Sequence, residues 1–185
     1  MRSTQSGLRR FTPSGLAALL LLFACSSMAV AVGADSQSAS TEVGPESNGI
    51  AITGAVEHPR TFTLDDLKRE PAITQAVTLK TGHGPLTGRF TGVSLWDLLQ
   101  QAVLKTIGTR RNDVIRHTIT ITGTDGYSTV LSAAELDPEF GGELALLAYA
   151  QDGKPLAGPG FVRLILPADK SAGRAISGVT SISVQ

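Results

Sequence analysis

The sequence predicts a strand-rich α+β domain, a mixed and barrel-like sheet assembly with short helices, and three observations carry that prediction. Apolar runs such as residues 161–166 (FVRLIL) are too short for helices and end at turn residues, here Pro167. Residues 117–122 (HTITIT) alternate, with Ile119 and Ile121 on one face and threonines on the other. Aromatic residues are only 5% of the chain and glycines number 20, a composition that fits short strands and many turns better than a long helical bundle.

A chain of 185 residues is short enough for one domain. Lys+Arg and Asp+Glu are 16 each, so the formal net charge is 0 and no overall field recruits nucleic acid or anionic lipid. The single cysteine, Cys25, excludes an internal disulfide framework and a multi-cysteine metal site.

At the N-terminus, Arg2, Arg9 and Arg10 precede an apolar run over residues 15–32, with small residues through Ala34. This pattern predicts an export signal over residues 1–34, since Ser26 and Ser27 interrupt the run and a polar segment follows. Cleavage after Ala34 leaves a soluble periplasmic or otherwise extracytoplasmic protein. The alternative is a lipoprotein: Leu22-Phe23-Ala24-Cys25 resembles a lipoprotein box, although Phe23 is bulkier than usual, and lipidation of Cys25 would be the one route to the membrane. Arg9-Arg10-Phe11 hints at twin-arginine export, but Thr12 and Pro13 do not fit that signal. Residues 35–49, rich in Ser, Glu and Gly, cannot bury a core and are expected to be a disordered tether.

The folded domain is expected over residues 50–185. It opens with a strand over 50–56, a turn at His58-Pro59 and a short helix capped by Thr63. A second strand, residues 76–80, leads into a glycine-rich loop over 82–88 (GHGPLTG), which either approaches a ligand or makes a wide turn. No Gly-Lys-Ser/Thr follows, so it is not a P-loop. Ser94 caps a helix whose Leu95, Leu98, Leu99 and Ala102 share one face, and Trp96 beside them reads as packing. Lys105, Arg110, Arg111 and Arg116 form a basic cluster, read as a solvated loop. After the alternating strand, Asp125-Gly126 favours a tight reversal in which Tyr127 presents a hydroxyl or packs in the core. Ser132 and Glu135 have capping-box spacing; strands over 144–150, 161–166 and 180–184 complete the domain.

The stretch over 161–174 (FVRLILPADKSAGR) is the candidate functional element. Arg163 lies inside an apolar run, where a guanidinium either snorkels from an edge or is held by an anion. Beyond Pro167, Asp169, Lys170 and Arg174 stand among small residues that let a loop approach a ligand through its backbone. The plain alternative is a surface turn with solvated charges. Arg163, Lys170 and Arg174 are expected to converge on one anion site, with His83 and Tyr127 at its edge.

The order GYSTVLSAAELDPEF, LALLAYAQDGKPL, FVRLILPADK and GRAISGVTSISV resembles the molybdopterin-binding domain of the sulfite oxidase family, as do residues 52–57 and 90–95. The resemblance spans almost all of 50–185 and rests on order and spacing. It implies a domain that binds a molybdenum-bearing pyranopterin, with Arg163, Lys170 and Arg174 facing its phosphate. It also implies a cysteine thiolate on the metal, at a position that falls near Leu79 here, where a leucine cannot serve as a soft ligand. Gly158-Pro159 stands where the family has histidine-glycine, and Ser177-Gly178 where it has lysine-tryptophan.

Other chemistries lack their spacing. His58, His83 and His117 do not form a paired-ligand pattern, and Ser, His and Asp occur without a nucleophile elbow. No residue is therefore assigned as catalytic or metal-binding. Two functions stay open: an exported molybdopterin oxidoreductase-like domain degenerate at its metal site and served by a redox partner protein, or a non-catalytic module whose pocket holds a small anion or a partner protein.

Overall fold

The computed structural model describes residues 49–185; the expected export signal, most of the tether and Cys25 lie outside the described residues. The strands are β1 (Gly49–Gly54), β2 (Arg60–Thr63), β3 (Ile73–Thr81), β4 (Gly84–Ser94), β5 (Thr118–Gly123), β6 (Ser128–Ser132), β7 (Leu146–Gln151), β8 (Lys154–Pro155), β9 (Arg163–Ile165), β10 (Ile176–Ser177) and β11 (Val179–Val184). Three short helices, α1 (Leu64–Arg69), α2 (Leu95–Ala102) and α3 (Ala133–Leu136), each follow a strand directly.

Each helix starts where a hydroxyl replaces a missing partner of the first backbone amides. Thr63 Oγ1 accepts from Asp66 N at 3.2 Å, and Asp66 Oδ2 accepts in return from Thr63 N at 2.8 Å. Ser94 Oγ accepts from Asp97 N at 3.4 Å, starting α2.

The strands form two sheets. In the first, ordered β2-β1-β11-β5-β6, β1 and β11 pair in parallel and the other pairs are antiparallel. The second, ordered β10-β9-β7-β4-β3 with β8 on β7, is antiparallel throughout. The main core takes Ile50 and Ile52 of β1, Ile119 and Ile121 of β5, Leu147 of β7, Leu164 of β9 and the buried face of α2. Trp96 packs against this core, as expected of a helix residue beside an apolar stripe. A second cluster of Val77, Leu79, Phe90, Leu146, Ala148 and Ile165 covers the other face of the second sheet.

The glycine-rich stretch over 82–88 is not a loop. Gly82 and His83 form a two-residue turn, and Gly84 already begins β4, whose Leu86, Thr87 and Gly88 pair with Leu79, Thr78 and Val77. The long partner strand supplies hydrogen bonds that outweigh the weak strand preference of Gly and Pro. On its other side β4 pairs with β7, and the register shifts between Thr91 and Gly92. Gly92 is required there, because a Cβ would lie 2.1 Å from Leu147 O. The expected strand over 161–166 is regular only across Arg163–Ile165.

Candidate functional site

Arg163 sits on β9 between two register partners, Ala148 of β7 and Ser177 of β10. Its neighbour Leu164 enters the main core, so alternation turns Arg163 to the opposite face. Its Nε donates to Ser177 Oγ at 3.2 Å. Among the described residues no carboxylate pairs with it, and burial pushes its pKa below the ordinary guanidinium value. A half-buried cation with one neutral partner keeps most of its hydrogen-bonding capacity for an anion.

Arg174 is in the opposite situation. It closes the 3₁₀ turn Ala172–Arg174 between β9 and β10, and its Nε and Nη2 donate to the two oxygens of Asp169 at 3.0 and 2.6 Å. Nη1 donates to Glu135 Oε1 at 2.7 Å. Asp169 first, then Glu135, raise the guanidinium pKa above its usual value. One cation already faces two carboxylates, so its hydrogen-bonding edges are taken and little of its charge is left for a phosphate. The capping-box reading of Ser132 and Glu135 is thus half met: Ser132 Oγ accepts from Ala134 N at 3.2 Å, while the Glu135 side chain leaves α3 for Arg174.

Lys170 and Arg174 share an open depression of about 400 Å³, lined also by Ala168, Asp169, Ser171 and Gly173. Lys170 is exposed, and its carbonyl accepts from Lys80 N at 3.1 Å, which docks the loop onto β3. Tyr127, 53% exposed, donates its hydroxyl proton to Gly173 O at 2.7 Å and so reaches the rim. Arg163 and His83 do not line this depression. His83 stands exposed at the β3–β4 turn, its amide donating to Thr81 Oγ1. The structure therefore brings Lys170, Arg174 and Tyr127 together and leaves Arg163 and His83 apart from them. The partners Glu135 and Ser177 cannot be read from the sequence, because no local spacing links them to Arg174 and Arg163.

Two sheets with short helices after the strands, and an arginine borne by a sheet strand ahead of a small-residue loop, make a strand-rich α+β domain. The family model described as oxidoreductase molybdopterin binding domain matches residues 37–184, and the chain belongs to that family. The fold is similar to that of the sulfane dehydrogenase SoxCD from Paracoccus pantotrophus, with TM-score 0.62 and 19% identity over 77% of this chain. The match covers 39% of the SoxCD chain, and at this identity the likeness is one of fold. No curated protein matches the chain.

The described residues contain no cysteine and so offer no thiolate to a metal-bearing pterin. Leu79, near the position of the family's thiolate, is 1% exposed and packs with Val77 and Phe90, so that place offers hydrocarbon. The other two departures touch each other. Gly178 has φ +63, and a Cβ on it would lie 2.7 Å from Pro159 O and 2.8 Å from Thr124 Oγ1. A Cβ on Gly160 would meet Gly178 Cα at 2.5 Å. Backbone of the loop around Pro159 thus leaves no room for a side chain at position 178.

Proposed function

We propose that this chain is a non-catalytic, extracytoplasmic binding module of the family, which has kept the fold and lost the metal chemistry. The observation that carries the proposal is the donor set: a buried leucine near the thiolate position and an arginine already neutralised by two carboxylates. The retained anion-handling group is Arg163, whose guanidinium is half-buried and has only Ser177 as a partner among the described residues. The ligand class is a small oxyanion or an anionic group on a larger molecule, met by charge-assisted hydrogen bonds.

Protein purified from a host that makes the molybdenum cofactor decides the matter by elemental analysis. Far less than one molybdenum per chain is expected, and a stoichiometric amount refutes the proposal. Thermal melts in rising phosphate test the second half, with stabilisation expected. The basic start and apolar run support the location. Mass spectrometry of the mature chain is expected to find an N-terminus near Asp35; an intact Met1 refutes export, and a diacylated Cys25 makes the protein a lipoprotein.

A further inference from the structure

Residues 137–143, after α3, form a loop held by its own backbone while its one aromatic side chain stays outside. Phe140 N and Gly142 N donate to Asp137 O at 2.9 and 3.0 Å, Gly141 N to Ala134 O at 3.0 Å and Glu143 N to Glu135 O at 2.8 Å. Asp137 Oδ1 accepts from Glu139 N at 2.9 Å. Phe140 is nevertheless 49% exposed, between the exposed carboxylates of Glu139 and Glu143. A fixed loop with an outward ring is suited to be a binding anchor, because little ordering cost is left to meet on association.

Beside it lies a surface of opposite charge. α3 packs against the 3₁₀ turn Val114–Arg116, and Ala133 N donates to His117 O at 2.9 Å. That turn borders an open cleft of about 480 Å³ lined by Arg111, Asn112, Ile115 and Arg116. Asp113, buried, pins the preceding loop by accepting from Ile107 N at 2.6 Å and stands 4.0 and 3.9 Å from the guanidinium groups of Arg110 and Arg116; these two stay exposed, and Arg111 beside them has no carboxylate partner among the described residues.

We propose that this face pairs two copies of the chain, with Phe140 of one copy in the Arg111–Ile115–Arg116 cleft of the other and Glu139 and Glu143 against its arginines. The ring would gain cation–π and apolar contact in the cleft, and the carboxylates would neutralise the basic loop. Charge complementarity selects a second copy: a foreign partner would have to be basic opposite Phe140 and acidic opposite the cleft, and this chain carries both. The knob follows α3 and the cleft borders the turn that packs on α3, so a two-fold axis between them seats two reciprocal contacts and closes the assembly at a dimer.

Sedimentation velocity on the chain in the form that accumulates in cells, over a concentration series at low and high salt, tests the pairing. A monomer–dimer equilibrium weakened by salt is expected. Phe140→Ser, and separately Arg111→Glu with Arg116→Glu, each raise the dissociation constant by about tenfold or more. Circular dichroism melts verify that both variants fold, and Glu139→Lys with Glu143→Lys repeats the test on exposed positions alone. Mixing the Phe140 variant with the arginine variant restores dimer, because the mixed pair keeps one intact contact. A chain that is monomeric at every concentration, a dimer indifferent to these substitutions, growth beyond the dimer, or a mixture that fails to pair overturns the proposal.

Discussion

Glu135 Oε1 accepts from Arg174 Nη1 at 2.7 Å although the two residues are 39 positions apart, and Asp169 holds the same guanidinium from its other edge. Their pairing fastens the loop after β9 to α3 of the other sheet. Arg174 is 38% exposed, so solvent screens the pair: Glu135→Gln should cost about 0.5–1 kcal/mol, and Asp169→Asn, which breaks a two-point contact, roughly 1–2 kcal/mol. Urea unfolding measures both, and the double variant should cost less than the sum because the two share a partner.

Arg163→Met should leave the stability of the ligand-free protein within about 1 kcal/mol of the parent, since a desolvated cation is exchanged for an apolar chain of similar length. The same change should remove any phosphate-dependent rise in melting temperature, weakening the anion by roughly 1.5–3 kcal/mol. Phosphate stabilisation that survives in the variant would place the anion elsewhere.

Gly178→Trp, which restores the family's residue, should destabilise by more than about 2 kcal/mol or prevent folding. The left-handed backbone and the approach of Pro159 O forbid any Cβ there. Replacing Gly178 should be far worse than replacing exposed Gly173, where a Cβ would meet nothing within 4 Å. Melting temperatures of the two variants make the comparison.

Stability should depend on Asp66 at acid pH. Hydrogen bonds from Thr63, side chain before backbone, with help from Arg69, hold its carboxyl below the ordinary aspartate range. A depressed folded-state pKa means that the contribution is complete above the unfolded value and is lost as pH falls through the folded one. Asp66→Asn should therefore lower the urea midpoint near neutral pH, and the gap to the parent should close as pH drops below about 4. A gap that is constant across that range would show that the charge plays no part.

The elements that could be read from sequence are those whose cause is local. Thr63 and Ser94 cap their helices within three residues, the Thr118–Gly123 strand shows its buried face by alternation, and Leu98 and Leu99 mark the face of α2. The β3–β4 hairpin was hidden because Gly84, Pro85 and Gly88 carry weak strand preference and are held by partners rather than by propensity. The site divides in the same way. Arg163 stood out as a charge in an apolar run, whereas the neutralisation of Arg174 by Glu135, and the closure of Pro159 over Gly178, depend on chain segments that only folding brings together.

The parallel seam between β1 and β11 also sets the order in which the domain can be made. Residues 51–54 have no in-sheet neighbour on that side until residues 181–184 arrive, and β5 needs the same strand for its own second edge. A nascent chain that has released β1 and β5 therefore holds two unjoined edges, and the contact that unites them spans most of the domain's length. Such distant pairings are late and slow events in folding. The first sheet is thus assembled only once the last strand of the domain is available, and until then its open edges are exposed to pairing with other chains.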